Sequence, residues 1–159
     1  MKLQSAFLIL IVASLAACGG DATADADIGK LLQTGKFEEA VKIVEARLET
    51  VEKGTEAEKN LILDYAQGLS VTDADKAQKS FLSFAKANAD LVQPKDYKFV
   101  VSHLRTHEGF LEAIDVMHAG KTRWPDDSDM VALVEMLKAD VEKANDPAAK
   151  AKMKGLGYM

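Results

Sequence analysis

The 159-residue chain carries one cysteine, three prolines and one tryptophan, and aromatic residues make up only 6% of it. A single cysteine excludes an internal disulfide, so the fold must rest on its core alone. Prolines and most of the glycines sit at segment edges, which leaves the intervening stretches free to be helical. No apolar run approaches the roughly 20 residues a spanning helix needs; the main one runs only from Leu8 to Ala13. Basic excess is missing too, since 20 Lys and Arg face 25 Asp and Glu for a net charge of −5. An acidic chain without a Lys/Arg stripe lacks the electrostatic footprint of a nucleic-acid binder. Nor is its body drawn to an anionic lipid surface. A Gly-rich phosphate loop, a Gly-x-Ser-x-Gly elbow and a Cys–His pair are all absent, so no enzyme class and no cofactor is indicated.

What is present is concentrated first at the amino terminus. Met1-Lys2, the apolar run Leu8 to Ala13 and the small residues before Cys18 have the charged start, apolar middle and small-residue exit of a secretion signal. Leu15-Ala16-Ala17-Cys18 resembles the lipobox of bacterial lipoproteins. That resemblance implies cleavage before Cys18, diacylation of its thiol and, commonly, acylation of the new amino terminus. Two or more acyl chains hold a protein on a membrane far better than one. Residues 1–17 are then a removed signal peptide, and residues 18–27, rich in Gly, Ala and Asp, a polar flexible tether. In lipoproteins of double-membrane bacteria an Asp after the cysteine often marks inner-membrane retention. Here Gly19 stands there, so the resemblance implies an outer-membrane anchor with the domain facing the periplasm.

The remaining chain suits one domain, and its periodicity is helical throughout. A first long helix is expected from about Lys36 to Glu52, with Phe37, Val41, Val44, Leu48 and Val51 on one face. Thr55 and Glu58 form a capping box for the next helix, which carries Leu61, Ile62, Tyr65 and Leu69. Thr72 and Asp75 start another, with Ala74, Ala77, Phe81 and Phe84 inward. Pro94 opens a helix bearing Phe99, Val100 and Leu104, and Gly109 separates it from one bearing Phe110, Ala113, Ile114 and Met117. Pro125 starts the last long helix, with Met130, Val131, Val134, Leu137 and Val141 inward. Asp146-Pro147 begins a short helix in a tail, residues 146–159, that can fray.

Three of these helices share a pattern: Phe37-Glu38-Glu39-Ala40, Ala74-Asp75-Lys76-Ala77 and Phe110-Leu111-Glu112-Ala113. The alanines are 37 and 36 residues apart, each followed one turn on by a larger apolar residue, Val44, Phe81 or Met117. A helix-pair unit recurring at such a period is a solenoid signature. Gly35-Lys36-Phe37-Glu38-Glu39-Ala40 and the spacing from Ala113 to Pro125 resemble the tetratricopeptide repeat. The period is longer than the family's 34, the middle unit lacks the aromatic, and Glu108-Gly109 is offset by one from the usual glycine. The fold class is thus all-α: antiparallel helix pairs stacked as a short tetratricopeptide-like solenoid over residues 28–145, or alternatively an irregular helical bundle. By resemblance, lipoproteins with such repeats act as adaptors in envelope machines, binding proteins or peptides.

A stacked array exposes a groove lined by the first helix of each pair, here around residues 56–69 and 95–106. Polar residues placed to meet a partner are Asn60, Asp64, Gln67, Lys98, Ser102 and Arg105. A second function class is a small-ligand or metal carrier. His103 and His107 lie four apart on one helix, with His118 on the next, and imidazoles so spaced can share a zinc ion. The zincin pattern needs Glu directly after the first His, and Leu104 stands there, so the residues assign no metal. Asp21, Asp25 and Asp27 read as part of the tether, and Asp126, Asp127 and Asp129 as a helix start, where carboxylates suit the dipole. Trp124, beside Pro125, is expected to cover the core between two units.

Overall fold

The computed structural model describes residues 27–159, and all the regular structure there is helical. Eight α-helices follow in order: α1 (Ile28–Gln33), α2 (Phe37–Thr50), α3 (Glu56–Thr72), α4 (Ala74–Ala87), α5 (Pro94–Thr106), α6 (Phe110–Arg123), α7 (Ser128–Ala144) and α8 (Pro147–Gly155). A 3-10 turn, Ala89–Leu91, leads into α5.

The starts are set by short polar side chains that satisfy the first free N–H groups. Asp27, Thr55, Asp73, Asp127 and Asp146 each accept from a backbone N–H in the first turn of α1, α3, α4, α7 and α8. Thr55 accepts from Glu58 N at 3.2 Å, while the Glu58 carboxylate reaches back to Gly54 N at 2.7 Å. The expected reciprocal cap therefore forms with its return bond one residue early. Asp96 caps the start of α5 with its return bond on the N-cap residue itself, accepting from Gln93 N at 2.9 Å, with Pro94 in the first turn.

Two expected helix starts move. Thr72 ends α3, and Asp73, not Thr72, caps α4, because it stands immediately before the helix, where its carboxylate accepts from Lys76 N at 2.9 Å. Pro125 lies in a turn before α7, whose cap is Asp127 and whose first residue is Ser128. Val131, expected inward, is 45% exposed, since Met130, Leu133, Val134, Leu137 and Val141 already fill the buried face.

Each helix packs on its chain neighbour, and helices two apart also meet: α1 on α3, α3 on α5, α5 on α7, α4 on α6 and α6 on α8. Ala40, Ala77 and Ala113 are wholly buried, as are Val44, Phe81 and Met117 one turn on. The pattern extends once more, beyond the three units read from sequence. Ala149 and Met153 in α8 are also wholly buried, and Ala149 lies 36 residues after Ala113. A small residue lets two helices approach, and the larger one fills the groove beside it; full burial of side chains like Phe81 or Met153 is worth about 1.5–3 kcal/mol each. The terminal segment thus packs as α8 and does not fray.

Polar ties cross the same seams. Gln78 of α4 donates to Asp115 of α6 at 3.3 Å, and Lys152 of α8 pairs with Asp115 at 2.6 Å. Lys59 of α3, nearly inaccessible, lies 3.9 Å from the buried Asp96 of α5, 2.6 Å from Glu56, and donates to Leu91 O at 3.2 Å. Trp124 packs edge-on against Tyr97 at 5.4 Å, and Tyr97 against Phe81 at 5.0 Å, with Arg123 over the indole at 4.3 Å. This aromatic row runs from α4 across α5 to the end of α6. Gly120 makes it possible: a Cβ there would come within 2.8 Å of Met130 Sδ and 3.0 Å of Tyr97 Cδ1.

Candidate partner-binding face

Helix α3 carries Asn60, Asp64 and Gln67 at i, i+4 and i+7, one stripe of a helix. Asn60 is exposed, Asp64 and Gln67 are half-buried, and Val71, one turn further on, continues the stripe at 40% exposure. Burial pushes the Asp64 carboxyl above its ordinary range, and the Arg47 charge from α2 pulls the other way. The stripe therefore offers an amide, a carboxylate and a second amide at successive turns, ending on an exposed valine. Such a row presents donors and acceptors that can pair with a peptide backbone or side chains.

The three residues expected from α5 are placed differently. Lys98 pairs with Asp129 of α7 at 2.9 Å, and Arg105 pairs with Asp140 of α7. Both long cations are thus drawn onto α7, two helices along the chain. Ser102 is half-buried between them, and its carbonyl accepts from the Thr106 hydroxyl at 2.7 Å. Beside these, α5 carries the partly exposed Phe99 and His103 one turn apart, and His107 follows as the C-cap of the helix. The Phe99 and His103 rings meet edge-on at 4.6 Å, and His107 meets Phe37 of α2 at 6.2 Å. Burial lowers the His103 pKa below its ordinary value, with the neighbouring His107 charge acting the same way. The i, i+4, i+8 spacing of these three rings is visible in sequence and marks the row.

The histidines considered as a metal set do not assemble. His118 is held elsewhere, its Nδ1 2.9 Å from the Tyr158 hydroxyl and its ring edge-on to that tyrosine. Among the described residues no three His, Cys, Asp or Glu side chains are placed to hold a metal ion. Asp127 and Asp129 are engaged in the α7 cap and the Lys98 pair.

Open clefts lie at the edges of the stack. One of about 410 Å³ is lined by Gly35, Lys36, Phe37, Glu38, Glu39 and Thr72, and one of about 440 Å³ adjoins it along α1. A third, about 330 Å³, lies beside Arg105, Glu108 and Asp140. Phe37 links the first cleft to the ring row of α5 through its contact with His107. Another polar cluster, Tyr65 donating to Glu45 at 2.5 Å and Lys76 to the same carboxylate at 2.9 Å, joins α2, α3 and α4. The Tyr65 hydroxyl and Lys76 together hold the Glu45 carboxyl below its usual range. This cluster ties helices and presents no open site.

Cys18 and the signal-like segment lie outside the described residues, within which no helix is long and apolar enough to cross a membrane. No protein-family model, no curated protein and no solved structure matches the chain.

Proposed function

We propose that this chain is a lipid-anchored helical-repeat protein of the bacterial envelope, acylated at Cys18, that works by binding a protein or peptide partner. The observation that carries the anchor is the run Leu15-Ala16-Ala17-Cys18 behind a short apolar stretch, with the only cysteine at its end. The repeat reading draws support from four fully buried alanines at a spacing of 36 or 37 residues and from packing between helices two apart. A tetratricopeptide-like solenoid has both features. In this reading the outer membrane holds the acyl chains and the domain faces the periplasm. The partner lies along α3, over Asn60, Asp64, Gln67 and Val71, with the Phe99–His103 edge of α5 beside them.

Two measurements test it. Metabolic labelling with a fatty acid should mark the wild-type protein and not Cys18→Ser; equal labelling of both removes the anchor. Crosslinking of the tagged full-length protein in its own cells should capture a discrete envelope partner. Asn60→Arg with Val71→Asp, both at exposed positions, should abolish that crosslink without shifting the melting temperature. An unchanged crosslink moves the partner off α3.

A further inference from the structure

We draw no further inference here: the strongest candidate, the ring row Phe99, His103 and His107 along α5 with Phe37 at its end, borders the face already described and nothing in the structure shows what covers it.

Discussion

Glu108 occupies the same backbone position at the end of α5 that Gly35 occupies at the end of α1. Both are left-handed, with φ of 62° and 75°, and both stand five residues before a fully buried alanine, Ala113 and Ala40. The bonds match as well. Glu108 N donates to Arg105 O and Gly109 N to Leu104 O, as Gly35 N does to Leu32 O and Lys36 N to Leu31 O. Each helix closes in a Schellman motif, and the glycine that looked displaced by one residue simply follows the strained position.

A side chain in that conformation costs roughly 1–2 kcal/mol, against about 0.5–1 kcal/mol of extra chain entropy for glycine. Glu108→Gly should therefore stabilise the protein by about 0.5–1 kcal/mol, raising its melting temperature by a few degrees. Gly35→Ala should lower it. A Glu108→Gly protein that melts at or below the wild-type temperature would show that the glutamate side chain compensates for its own strain.

Met153 tests whether α8 belongs to the core. Its side chain is wholly inaccessible, so Met153→Ala should cost about 2–5 kcal/mol through lost burial and the cavity left behind. Urea unfolding at equilibrium measures this directly. A loss under about 0.5 kcal/mol, the size usual for surface substitutions, would mean that α8 is peripheral.

Lys59 and Asp96 are the buried ionic contact between α3 and α5. Replacing Lys59 by Met keeps the stem and removes the charge, leaving Asp96 buried without its cation. Removing one partner of a buried pair costs about 3–5 kcal/mol. Asp96→Asn in the Lys59→Met background should recover part of that loss, because the amide oxygen still accepts from Gln93 N. If the double variant is no more stable than Lys59→Met, the loss comes from packing and not from charge.

His103 makes stability depend on pH. Its folded pKa is depressed by burial and by His107, so the unfolded chain binds a proton more readily. Its contribution is complete above the ordinary histidine value of about 6.5 and is lost as pH falls through the lower folded value. His103→Leu should flatten the decline in melting temperature from pH 7 to pH 5 relative to wild type. Parallel curves would show that other groups set the slope in that window.

Helix content was readable because the apolar positions recur at the helical period and short polar residues mark the starts. Phe110, Ala113, Ile114 and Met117 all proved buried, as did Ala77, Phe81 and Phe84. The fourth buried alanine, Ala149, does not stand out in the sequence because Ala148 and Ala151 flank it, so no single alanine marks the position. Helix α1, with six residues, is too short for a period to register. At the candidate face, the stripe of Asn60, Asp64 and Gln67 follows from spacing within one helix. The fate of Lys98 and Arg105 does not, because their partners lie 31 and 35 residues away on α7. Pairing across that distance is fixed by packing, which spacing within α5 does not encode.

Asp115 has one carboxylate oxygen facing Gln78 of α4 and the other facing Lys152 of α8. A single side chain on α6 therefore ties three helices. The α4–α6 and α6–α8 contacts thereby share one carboxylate. Release of α8 removes Lys152 from one carboxylate oxygen, so a change at the last helix reaches Gln78 of α4 through a single side chain.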